Sequence, residues 1–111
     1  MRRVPHFHVS SSLNRSSIEA FGLDWTRMSV ARGIAGSVAP EVEGCFLATD
    51  EWEAEYFLEM NNTGGPVDLW GVDGVDPAAL VSADTGYLFL PATIPRAQLR
   101  LLRTDVPPLH R

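Results

Sequence analysis

Three kinds of reactive side chain stand in or beside short apolar runs: histidine at 6 and 8, serine at 10 to 12, and cysteine at 45. His6 and His8 are two residues apart in VPHFHVS, so on a strand they share one face. Two histidines on one face supply two metal ligands, and a site needs a third at compatible geometry. The remaining histidine is His110, and no Asp or Glu spacing completes a set, so no metal is expected and packing or hydrogen bonding is the plainer role. A thiol nucleophile needs a base and an orienting group; Cys45 sits in GCFLA, an apolar strand, and reads as a buried structural cysteine. The serine cluster lacks the G-x-S-x-G context of a nucleophile and is explained by helix capping. RGIAGS and GVDGV lack the glycine spacing and lysine of a phosphate loop, and RGIAGS reads as a flexible flap.

These groups must be positioned by elements whose outlines the sequence gives. Residues 4–9 read as a strand, and Ser10–Ser12 as a turn with N-cap chemistry. Residues 13–21 read as a helix whose apolar side combines Leu13, Ile18, Ala20 and Phe21, closed by Gly22. A short helical turn over 23–28 follows, then a long glycine-rich loop over 29–43, a length that in compact domains is often functional. Residues 45–48 form a short strand, and 50–60 a helix capped by Thr49 or Asp50 with acids in its first turn. The aromatic stripe Trp52, Tyr56 and Phe57 on that helix reads as core, and its acids as a solvated face. NNTGGP is a turn. Strands follow over 67–72, 87–91 and 98–103, with a helical turn over 77–80 between the first two, and the tail 104–111 reads as loose. The order is α+β rather than a regular βαβ alternation.

Composition bounds the function. The 111 residues make one domain, 1–111, with an ordinary 45% apolar content. A net charge of −5 argues against coating nucleic acid, although the acids concentrate in DEWEAEYFLEM and most arginines lie toward the ends. No apolar run is long enough to span a membrane, and the start MRRVPHFHVS is too broken for a signal-peptide core. With a single cysteine there is no internal disulfide, and a cytoplasmic location is the expectation.

The order of features is more informative than any one motif. FHVSSSLNRSSIEAFGL resembles the opening of ADP-ribosyltransferase-fold proteins, a strand with an aromatic-His-x-Ser/Thr motif, then a helix containing Ser-Ile, then Gly-Leu. That group includes poly-ADP-ribose polymerases, RNA 2'-phosphotransferases and small rifampin ADP-ribosyltransferases. GCFLATDEWEAEYF is similar to its second motif, and GYLFLPATIPRAQLRLL to its closing strands, so the resemblance runs from about Val4 to Arg103 in the right order. It implies a split β-sheet core flanked by two or three helices.

The resemblance also implies a site. His8 would hydrogen-bond the adenosine ribose of NAD, the backbone of Val9 would pair with the nicotinamide amide, and Ser10 completes the motif. Phe46 falls where the family has a tyrosine stacked on nicotinamide; it keeps the π-face and loses the hydroxyl. The family's late acidic residue, which stabilises the cation formed as nicotinamide leaves, falls on Gly86, with Asp84 two residues earlier as the nearest carboxylate. Arg15 and Arg32 are the candidate diphosphate partners. The expected ligand is thus a small-molecule nucleotide, with NAD as substrate and a protein or small molecule as acceptor. Two readings stay open: a working transferase, or a nucleotide-binding or protein-interaction module of the same fold.

Overall fold

A computed structural model describes residues 6–24, 45–61, 65–82 and 87–108. Six strands and two helices follow in the order β1 (His6–Ser11), α1 (Arg15–Phe21), β2 (Cys45–Phe46), α2 (Glu51–Glu59), β3 (Val67–Val72), β4 (Val81–Ser82), β5 (Leu88–Leu90) and β6 (Leu99–Val106). They build two antiparallel three-stranded sheets, ordered β1-β3-β6 and β2-β5-β4. The class is therefore α+β.

β3 is the central strand of the first sheet, and each of its six residues is buried. That requires cover on both faces, and alternation of side chains supplies it. Trp70 and Val72 pack with Ile18 of α1, Cys45, Leu47, Ile94 and Leu99. Val67 and Leu69 pack on the other side with Phe7, Val9 and the α2 residues Ala54, Phe57 and Leu58. The two helices thus flank opposite faces of one sheet. Above the Trp70 ring lies the Arg96 guanidinium, 5.6 Å from the ring centroid.

Local chemistry sets the ends. The Asp50 side chain accepts from the Glu53 amide at 2.8 Å and the Glu53 carboxylate accepts from the Thr49 amide at 3.0 Å, a reciprocal cap that starts α2. α1 stops at Gly22, whose φ of 78° lies in the left-handed region. A Cβ there would sit 2.2 Å from the Ile94 carbonyl oxygen. Only glycine allows this approach, which lets Leu23 and Ile94 exchange two backbone hydrogen bonds of 2.8 and 2.9 Å.

Several elements differ from the sequence reading. Ser10 and Ser11 belong to β1, and the turn after them is a 3-10 turn over Ser12–Asn14, with the Ser11 hydroxyl accepting from the Leu13 amide. Leu13 therefore falls outside α1 and is exposed, as is Phe21; a seven-residue helix buries Ile18 alone. Leu23 forms the bridge to Ile94 instead of a helical turn, and residues 25–28 lie outside the described residues. β6 runs on to Val106, because Asp105 at φ 52° turns its amide onto Asp68, so residues 104–106 are strand rather than loose tail. On α2 the buried face is Ala54, Phe57 and Leu58, whereas Trp52 is 87% exposed and Tyr56 42%. The sheet needs only one side of that helix, so most of the expected aromatic core faces outward. Among the described residues no helix is long and apolar enough to cross a membrane.

Candidate functional site

Among the described residues one backbone bridge, Phe7 to Ala48, joins the two sheets. The Phe7 amide donates to the Ala48 carbonyl at 2.9 Å, and the Ala48 amide donates to the Phe7 carbonyl at 2.7 Å. In an antiparallel pair successive residues turn their backbone groups to alternate sides. Phe7 turns away from β3, while the Ser12 amide reaches Pro66 on the β3 side at 3.0 Å. Val9, two residues past Phe7, therefore presents its N–H and C=O on the Ala48 side. Continued from Phe7 and Ala48, the antiparallel register sets Val9 against Phe46. That rung is not made. The Phe46 carbonyl instead accepts a hydrogen bond from Nδ1 of the His8 ring at 2.8 Å. The imidazole takes the acceptor that would close the ladder. Among the described residues the Val9 N–H and C=O have no backbone partner across this gap.

The contact fixes the state of His8. A carbonyl oxygen only accepts, so Nδ1 carries the proton. Burial lowers the His8 pKa below 6.5, outweighing the bond to Phe46, which raises it. Near neutral pH the ring is uncharged, and Nε2 is a lone-pair acceptor. The resemblance has this histidine donating to a ribose; here the proton is committed to Phe46, and the other ring nitrogen, Nε2, can only accept.

Aromatic rings continue from the gap. The Phe46 ring meets Phe89 across β2 and β5 at 5.9 Å between centroids. Tyr87, just before β5, sets its ring edge-on to Phe57 at 4.9 Å, and its hydroxyl donates to that of Tyr56 at 3.2 Å. The Tyr56 bond, followed by burial, raises the Tyr87 pKa above 10.0.

At the far end of β1 lies a charged cluster. Asp68, opposite Ser10, has a side chain with 0% exposure. Its carboxylate accepts from Arg15 Nε at 2.7 Å and Nη2 at 2.9 Å, from the Ser12 hydroxyl at 2.7 Å and from the Asp105 amide at 2.9 Å. Burial pushes this carboxyl up, but the Arg15, Asp105 and Ser12 bonds together outweigh it and hold the pKa below 3.8. Arg15 also pairs with the Asp105 carboxylate at 2.9 Å. These bonds raise its own pKa further above the usual arginine value. The Ser10 hydroxyl accepts from the Asn14 amide at 3.2 Å, and Asn14 Oδ1 is buried with no hydrogen-bond partner among the described residues.

Of the residues singled out from the sequence, the structure brings together His8, Val9 and Phe46, with Ser10 one step along the same strand. It does so through the Phe46 carbonyl, while the Phe46 ring turns to Phe89. Arg15 is held by Asp68 and Asp105, so the diphosphate role assigned to it meets a guanidinium already neutralised by two carboxylates. Arg32, Asp84 and Gly86 lie outside the described residues. Cys45 is 1% exposed, and burial, aided by the Asp24 charge, pushes its thiol up to about 12, which leaves no nucleophile at neutral pH. Sequence reasoning missed Asp68 and Asn14; the signal for the first was an acid inside the apolar strand VDLWGV. No group of three His, Cys, Asp or Glu side chains among the described residues is placed to hold a metal ion. No family model, no curated protein and no solved structure matches the chain.

Proposed function

We propose that the gap between β1 and β2 is a nucleotide site, and that the chain is an ADP-ribosyltransferase-like domain that takes NAD there. The observation that carries the reading is the open rung at Val9. A backbone N–H and C=O side by side on a strand edge form the complement of a carboxamide, which offers one acceptor and one donor. The nicotinamide amide is such a group. The Phe46 ring, which meets Phe89, is the aromatic that the reading assigns to stack on the nicotinamide. Neutral His8 contributes Nε2 as an acceptor for a ribose hydroxyl, while its other nitrogen keeps the rung open.

Transfer breaks the bond between nicotinamide and ribose and leaves a positively charged sugar. That charge develops only toward the transition state, and a carboxylate beside it lowers the barrier. Asp84 is the assigned candidate, with Gly86 at the position where the family carries its acid. The glycine favours a second reading, a domain that holds NAD without turning it over. A cytoplasmic setting, where NAD is at hand, goes with either.

Calorimetric titration of NAD into wild type and His8→Ala, with nicotinamide release assayed on the same samples, tests the proposal. Binding and release that are both lost in the variant support the transferase. Binding without release supports the holding module. Absence of binding to the folded wild type overturns both.

A further inference from the structure

The outward face of α2 is unusual for a surface helix. Trp52 is 87% exposed, Tyr56 42% and Met60 41%, at a four-residue spacing that aligns them along one side. Around them stand the exposed carboxylates Glu51, Glu55 and Glu59, and residues 50–60 hold no basic side chain. A solvated helix face has no need of a tryptophan. Trp and Tyr are over-represented among residues that anchor protein interfaces, and both rings attract guanidinium groups through their faces.

We propose that this face docks an arginine-bearing segment of a partner protein. Charge complementarity selects the occupant: every formal charge that α2 itself carries is negative, so a basic segment gains and an acidic one is repelled. The fold already holds one instance of the contact, since the Arg103 guanidinium of β6 donates to the Glu55 carboxylate of α2 at 3.2 Å. The aromatic rings take the guanidinium planes and the apolar stems, and the carboxylates at the rim take the charge. Nucleic acid is excluded by the same field. This surface is separate from the β1–β2 gap, and its test uses no nucleotide, so it stands or falls independently of the NAD reading.

The probe is a short synthetic peptide alternating arginine and leucine, with a glutamine–leucine peptide as control. Binding to the full chain is followed by calorimetry at two salt concentrations. Trp52→Ala is expected to weaken binding about tenfold, as an anchoring aromatic does. Glu51→Gln with Glu59→Gln is expected to weaken it by a similar factor and to flatten the salt dependence. Glu19→Gln with Asp73→Asn removes the same charge elsewhere and is expected to leave binding unchanged. These are exposed positions, and circular dichroism checks that each variant is folded. Equal weakening in both charge variants reduces the effect to net charge and overturns the proposal. So does equal affinity for the glutamine peptide, no binding at all, or self-association of wild type that Trp52→Ala abolishes, which gives the face to a second copy.

Discussion

Neutral His8 makes a prediction about pH that its packing dictates. The folded-state pKa lies below 6.5, while the unfolded chain takes up its proton near that value. As pH falls through 6.5 the unfolded state therefore binds more protons than the folded state, and stability drops. The loss over the pH unit below 6.5 is at most RT ln(11/2), about 1 kcal/mol, the limit reached when His8 stays neutral in the fold throughout. For a domain of this size that is a fall in Tm of at most about 4 °C. The informative variant is His8→Asn. Its side-chain amide nitrogen stands where Nδ1 does and keeps a donor for the Phe46 carbonyl, but it does not titrate. Contributions common to both proteins cancel in the difference. Urea unfolding is measured at pH 6.5 and one unit lower. Wild type should lose more than His8→Asn across that step, by up to about 1 kcal/mol. Equal losses would refute the reasoning, since they would mean that His8 is as free to take a proton in the fold as out of it.

Other consequences are checked in the same way. Gly22→Ala forces a side chain into left-handed backbone and against the Ile94 carbonyl, parting the Leu23–Ile94 bridge. The strain costs about 1–2 kcal/mol and the two hydrogen bonds about 0.5–1.5 each, so chemical denaturation should show a loss of about 2–5 kcal/mol. Asp68→Asn replaces a buried carboxylate that accepts hydrogen bonds from Arg15, Ser12 and the Asp105 amide, and should cost about 1–3 kcal/mol at neutral pH. That loss should narrow as pH falls below 3.8, where the unfolded chain takes up the proton while folded Asp68 still keeps its charge, and disappear once the folded carboxyl protonates at its lower pKa. Cys45 should resist a thiol reagent at mildly alkaline pH in the folded protein and react fully in denaturant; rapid reaction of the native state would contradict its burial.

How much of this was legible depended on whether a residue's role is local. The strand VDLWGV is legible in the sequence, and the cap of α2 is narrowed there to Thr49 or Asp50, because apolar runs and N-cap chemistry act within a few residues; the structure makes it Asp50. The α+β class followed from element order. The orientation of α2 did not: its period allows more than one buried face, and the sheet beneath decides that Phe57 enters the core and Trp52 does not. Arg15 reads from the sequence as a candidate diphosphate partner because its actual partner Asp68 is 53 residues away, a separation that only the folded chain closes. His8 and Phe46 were picked out through a resemblance, but their link, a ring nitrogen on a backbone carbonyl, leaves no trace in residue type. The open rung at Val9 is likewise a matter of register.

The central claim is that this rung receives the nicotinamide amide of NAD. The most direct measurement is the amide resonance of Val9 in a two-dimensional nitrogen–proton spectrum as NAD is added to the full chain. The account predicts a saturable shift at Val9, shared by His8 and Phe46 and reproduced by nicotinamide alone at higher concentration. A Val9 amide that stays in place while NAD saturates another part of the protein, or while NAD fails to bind at all, would contradict it.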